Sequence, residues 1–341
     1  MSRSLFEYHP VVGYRFVPGL KARVPHEGGG YLVRANTAGF RSEHEFTPAR
    51  PAGTFRALLF GDSFTAGDGV SNRDRYGDLL ERRVPGLQVF NFGLSGSGTD
   101  QQYLAWREMA RGLEHDLLVL AVQVENIRRV AARLRTFEGE GREVVLAKPY
   151  FTLGADERLE LHHVPVPREP LRPEDLPADQ LGHLDRGGDH ALVRKVVNKL
   201  GVREMVQALT RYQPLPAYDR ADHPDWRLMR AILAGWVAES AVPVLLVPVP
   251  LYQYVEDTSS PEGYQQRFRE LAADTGALLH DPLPDFHRVG KAERRQLRFA
   301  RDIHPTPAWH QVMADSLAPR IQSLMDGRLP GDGVRAGNGS A

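Results

Sequence analysis

The chain has 341 residues, 42% hydrophobic and 25% charged, an ordinary globular composition with enough apolar mass for a sizeable core. Lys+Arg and Asp+Glu both number 43, so the formal net charge is zero and nothing indicates a nucleic-acid or membrane surface. There is no cysteine, which excludes disulfides, thiol nucleophiles and Cys-ligated zinc.

Residues 1–50 are rich in Gly, Pro and Arg and lack a helical period; Tyr31-Leu32-Val33-Arg34 reads as a short strand. This segment is expected to form an arm packed on the main domain. The first ten residues contain no apolar signal region, and the run 241–252 is too short for a membrane span and holds three prolines. A soluble, cytoplasmic protein is the expectation.

Five apolar runs follow, at 57–60, 88–92, 116–122, 242–249 and 277–280, with little alternation, as in strands buried on both faces. Helical patterns lie between them at 74–83, 100–112, 126–136, 224–240 and 262–274, and Pro307 opens a closing helix to Met325. The alternation predicts a three-layer α/β/α sandwich around a five-stranded parallel sheet, spanning residues 51–327.

The third and fourth runs are too far apart for one crossover, so residues 137–221 read as an insertion. Within it, 144–166 alternates like one hairpin turning at Gly154-Ala155-Asp156, 165–177 is Pro-rich, and 189–210 looks helical. A lid and a decorative surface insertion are both open readings. The Gly-rich tail, 328–341, is expected to be disordered.

Chemistry gathers at the strand ends. Gly61-Asp62-Ser63 closes the first strand, where open α/β sheets bind ligands. Ser63 reads as a turn serine, as part of a phosphate cradle with Gly67 and Gly69, or as a nucleophile. No phosphate-loop or dinucleotide fingerprint is present, and Thr65 departs from the G-x-S-x-G elbow. A second Gly-rich turn, Gly93-Leu94-Ser95-Gly96-Ser97-Gly98, follows the second strand, with Thr99 or Asp100 as a candidate helix cap. Asn126 follows the third strand, as a cap or as an amide donor. Asp302-Ile303-His304 places an acid and an imidazole on a late loop. In Asp222-His223-Pro224 the acid and proline fit a helix cap and first turn. Arg128-Arg129 and Arg294-Arg295 read as solvated faces, and His162, His163, His183 and His190 as surface residues without metal-ligand spacing.

Taken together, these four blocks resemble the SGNH/GDSL hydrolase family, over roughly residues 55–135 and 240–325. Asn36-Thr37-Ala38-Gly39-Phe40-Arg41 also looks like one bacterial branch of it. Two departures stand out: the third block lacks its usual glycine and acid, and the last has Asp-x-His spacing with Arg301 in the usual acid position. The resemblance implies a serine esterase needing no cofactor or metal. Ser63 would be the nucleophile, His304 the base and Asp302 its orienting acid, with an oxyanion hole from Ser63, Gly96 and Asn126. The expected substrate is an O-acyl ester, including O-acetyl, of a carbohydrate or small metabolite. An O-acyltransferase and a catalytically silent binding protein are the alternatives.

Overall fold

The computed structural model describes residues 5–139, 142–172, 176, 184–185 and 213–327. Two antiparallel hairpins come first: β1 (Phe6–His9) with β2 (Gly13–Phe16), and β3 (Lys21–Val24) with β4 (Tyr31–Arg34). Next come β5 (Phe55–Phe60), α1 (Ser63–Ala66), α2 (Tyr76–Arg83), β6 (Leu87–Asn91), α3 (Thr99–Ala105), β7 (Leu117–Gln123) and α4 (Asn126–Ala131). Four strands and a short fifth follow: β8 (Leu134–Gly139), β9 (Arg142–Ala147), β10 (Tyr150–Leu153), β11 (Leu159–His162) and β12 (Leu184–Asp185). The chain closes with α5 (Pro224–Glu239), β13 (Val244–Val249), α6 (Tyr252–Val255), α7 (Glu262–Thr275), β14 (Leu278–Leu279), α8 (Leu283–Arg288) and α9 (Pro307–Met325).

The expected five-stranded sheet is present, ordered β14-β13-β7-β5-β6 with every pair parallel. Every residue of β7 and β13 is buried, which explains their unbroken apolar sequence. Pro248 is tolerated inside β13 because β14 pairs only at Leu245 and Leu246, leaving one neighbour where the N–H is missing. Helices α2 and α9 pack on each other, while α3, α4 and α7 pack around α5, and the sheet lies between the two groups. In chain order the strands run 2-1-3-4-5, so the topological switch point falls between β5 and β7, the strands that precede Ser63 and Asn126.

The arm is part of the packing. Val12, Phe16, Val33 and Phe40 lie in the main core, and Phe40 and Phe46 stand against Phe92 with ring centroids 4.9 and 4.3 Å away. Each such burial contributes roughly 1.5–3 kcal/mol. Arg41 is buried and donates to the carbonyls of Gly67 and Val70 and to Asn72 Oδ1, fixing the loop that follows α1. Burial, then Arg75, lowers its guanidinium to about 10.

Three local expectations need correcting. The helix at 126–136 ends at Ala131, and residues from Leu134 on turn into strand. The single hairpin over 144–166 is two: β9 pairs back with β8, and β11 pairs with β10. The turn at Gly154 is where expected, but Val144–Leu146 has its alternating partner on the N-terminal side. Caps differ too: Gly98 rather than Thr99 or Asp100 precedes α3, and His223 Nδ1, not Asp222, accepts the Asp225 N–H at the start of α5. The expected helix at 189–210 and the tail 328–341 lie outside the described residues.

Candidate active site

Strand β5 delivers Gly61-Asp62-Ser63 into a tight turn. Asp62 caps α1 through Oδ1, which accepts the Phe64 N–H at 3.0 Å. A Cβ on Gly61 would lie 2.0 Å from Thr65 Oγ1, so the residue before the acid must be glycine for α1 to seat on the strand. Thr65 bonds the Tyr76 hydroxyl at 2.7 Å and anchors the short helix. Ser63 is thus the first residue of a short helix held at Asp62 and Thr65, and it is buried.

The second block wraps beside it. Gly96 has φ +75°, a left-handed conformation, and the Arg135 guanidinium occupies the place of any Cβ, 1.8 Å from its ideal position. Ser95 Oγ donates to Asp68 Oδ1 at 2.7 Å, and the Tyr14 hydroxyl donates to the Ser95 carbonyl at 2.8 Å. Both Arg135, on β8, and Tyr14, on β2, therefore touch this loop, and they bond each other at 3.2 Å.

Asn126 is not the cap of α4. It lies inside the helix, fully buried, and its Oδ1 accepts from Arg129 Nη1 at 2.9 Å. A guanidinium only donates, which fixes the amide orientation and points Nδ2 the other way. That Nδ2 is buried and has no hydrogen-bond partner among the described residues. Arg129 Nη1 also reaches Asp62 Oδ2 at 2.8 Å and the Ser97 carbonyl at 3.2 Å, tying the first three blocks to one cation. Reading Arg128-Arg129 as one solvated face was half right: Arg128 is exposed and pairs with Glu125, but Arg129 is only 15% exposed. Its spacing of three from Asn126, one helical turn, was the available signal. Arg294 likewise is not a free surface charge, since it donates to the carbonyls of Val289 and His287.

On the last loop, Asp302 Oδ1 meets His304 Nδ1 at 2.6 Å. His304 Nε2 faces Asp68 Oδ2 at 4.0 Å, and its ring lies 5.9 Å from that of Phe64, next to Ser63. Among the described residues no hydrogen bond joins Ser63 to His304. Burial by itself would lower the His304 imidazole; the hydrogen bond to Asp302 and the charges of Asp68, Asp302 and Asp62 outweigh it and raise it above its ordinary value. Burial would likewise raise the Asp302 carboxyl, but the bonds from His304 and His26 hold it well below the usual carboxylate range.

The other histidines go elsewhere. His310 is fully buried with Nδ1 accepting the Tyr76 N–H at 3.3 Å, and burial, with Arg75 and Arg41, pushes it down to about 3. His162 stacks on Tyr150 and bonds Thr152, and His163 bonds the Lys148 carbonyl; both are half-buried rather than fully at the surface. His183 and His190 lie outside the described residues. Arg301 is exposed.

A family model described as the GDSL-like lipase/acylhydrolase family matches residues 59–312, well over half of the chain. The chain belongs to this family. The match begins in β5 and ends in α9, so it takes in all four blocks of this GDSL-like acylhydrolase. Solved structures similar to it include LAE5, an alpha/beta hydrolase from the metagenome of Lake Arreo, Spain, at 16% identity and TM-score 0.43, covering 80% of this chain and 97% of that one. TesA is similar at 14% identity and TM-score 0.41, covering 79% and 99%. Axe2, an acetylxylan esterase from Geobacillus stearothermophilus, is similar at 15% identity and TM-score 0.43, covering 79% and 95%. No functionally curated protein matches the sequence. No described helix of this acylhydrolase is long and apolar enough to cross a membrane.

Proposed function

We propose that this acylhydrolase cleaves O-acyl esters, including O-acetyl esters, of a carbohydrate or small metabolite through an acyl-Ser63 intermediate. A serine hydroxyl needs a base to attack a carbonyl, and His304 Nε2 is the free nitrogen once Nδ1 is committed to Asp302. His304 takes the Ser63 proton as Oγ attacks, and returns it to the leaving alkoxide as the tetrahedral intermediate collapses. A water then repeats the sequence on the acyl-serine and releases the acid. Asp302 holds the imidazole tautomer and stabilises the imidazolium.

The observation that carries the reading is the Asn126 amide. A buried N–H group without a partner among the described residues costs stability, and one that follows β7 at the switch point supports a donor to an oxygen that becomes negative only during reaction. Backbone N–H groups of Ser63 and Gly96 complete the proposed oxyanion hole. Each donor lowers the barrier by on the order of 3 kcal/mol. A pocket lined by Phe64, Ile303 and Trp309 and by Arg294 and Arg298 shares Phe64 with the nucleophile's helix and Ile303 with the base's loop, which supports a place for a small acyl group.

Labelling with a fluorophosphonate, followed by peptide mapping, tests the nucleophile. Modification at Ser63 alone is expected. Labelling at Ser95 or Ser97, or none in folded protein, would overturn the assignment.

A further inference from the structure

The acid of the last loop has a second partner that the four blocks do not include. Asp302 is a third exposed, and a carboxylate on a surface loop held only through Oδ1 is free to rotate about its own bonds. Its Oδ2 is 3.1 Å from His26 Nε2, on the loop between β3 and β4. The Gly28 N–H donates to His26 Nδ1 at 3.2 Å. A nitrogen that accepts carries no proton, so His26 is the neutral tautomer with its hydrogen on Nε2, directed at Asp302. The ring is wedged against Phe299 at 4.4 Å and Tyr31 at 5.8 Å, and is only 11% exposed. Next to it, Glu27 Oε1 accepts the backbone N–H groups of Arg301 and Asp302 at 2.8 and 2.7 Å.

We infer that His26 is a positioning residue of the active site: it donates to the far oxygen of Asp302, so that the carboxylate is held at both oxygens and presents Oδ1 to His304 in one orientation. The relay then runs Ser63, His304, Asp302, His26, and its last member comes from the N-terminal arm. The Glu27 carboxylate fixes the backbone that carries the acid, while His26 fixes the carboxylate itself. The two act on different rotations, so neither replaces the other.

This inference rests on the triad reading, and the experiment separates the two. The variants are His26→Phe, which keeps an aromatic ring on Phe299 without a donor, His26→Gln, whose amide nitrogen reaches the place of Nε2, Asp302→Ala, and the double variant His26→Phe/Asp302→Ala. Each is assayed for kcat and KM on p-nitrophenyl acetate and for thermal melting. His26→Phe is expected to lose on the order of tenfold in kcat with KM unchanged. His26→Gln is expected to recover most of that loss, and adding His26→Phe to Asp302→Ala should cost nothing further, because there is no carboxylate left to orient. A purely structural role would lower activity with melting temperature in both backgrounds, and that result overturns the inference. So does a His26→Phe enzyme with wild-type kcat beside a crippled Asp302→Ala, which leaves the triad standing. If Asp302→Ala itself keeps full activity, the triad reading falls.

Discussion

Replacing Asn126 should separate catalysis from folding, because its two polar atoms do different things. Asn126→Ala removes the bond that the charged Arg129 donates to Oδ1, worth roughly 1.5–3 kcal/mol, but Arg129 Nη1 keeps Asp62 and the Ser97 carbonyl. The same change removes a buried amide nitrogen with no partner among the described residues, whose burial costs roughly 1–3 kcal/mol. The two offset, so the melting temperature should stay within about 3 °C of wild type or rise. Catalysis has no such compensation. Loss of one oxyanion donor is expected to lower kcat by ~10²–10³-fold. The donor acts on charge present only in the transition state, so KM for a neutral ester should not move. Asn126→Asp keeps an acceptor for Arg129 but sets a negative charge beside the developing oxyanion, and should be folded and at least as inactive. The assay is kcat and KM on p-nitrophenyl acetate beside thermal melting. An Asn126→Ala enzyme with kcat within about threefold of wild type, or one whose loss merely follows a falling melting temperature, refutes the reasoning.

The acid limb of the kcat/KM profile should lie above the ordinary imidazole value of 6.5, since the His304 shift is upward, and activity should rise with pH as His304 loses its proton. Asp68→Asn removes one raising charge and should move that midpoint down with the plateau kept; Asp302→Asn should lower the midpoint and cut the plateau by roughly two orders of magnitude or more, and Arg301→Ala should change little. An Asp302→Asn profile that overlays wild type would disprove the pair. His310 binds its proton far less readily folded than unfolded, so the stability it contributes is full above 6.5 and is lost as pH falls below that value towards 3. Between pH 6.5 and 5 wild type should lose about 1.6 kcal/mol that His310→Asn, which keeps an acceptor for the Tyr76 N–H, does not, as read from urea unfolding at each pH. Gly96→Ala must meet both the left-handed backbone and the Arg135 guanidinium, and should lose activity; adding Arg135→Ala should relieve the contact and leave about 1–2 kcal/mol of backbone strain, measured by the same unfolding.

What was legible in the sequence was set by local chemistry. β7 and β13 announce themselves because a strand covered on both faces has no polar side to interrupt it. The first three blocks are legible because each follows a strand of the sheet, which brings strand ends together whatever lies between; the fourth is legible only as an acid and an imidazole two residues apart on a late loop. What was missed depends on contacts between distant segments. Val144–Leu146 alternates properly, yet alternation does not say which neighbour it faces, and it pairs with residues 135–137. Asn126 looks like a cap because Asn favours that position, but the Arg129 side chain one turn on claims its oxygen. Arg41 is legible only as the end of the Asn36–Arg41 segment, which does not say that it is buried under the loop after Ser63. His26 carries no signal at all: no periodicity or motif links it to Asp302.

That bond joins residues 276 positions apart, and it sets an order of events on the ribosome. Ser63, the Gly-rich turn and the Asn126 amide are all translated by residue 131, and β5, β6 and β7 can associate as they emerge. His304, the proposed base, is made near the end of the chain, long after the arm that holds His26. On the proposed roles, a nascent chain holds Ser63 without its base through most of its synthesis, and the acid of the last loop is steadied only when that loop meets the arm. The same closure should be visible in the finished protein as one exchange unit: the amide hydrogens of Arg301 and Asp302, both bound to Glu27, should exchange in concert with those of the β3–β4 hairpin.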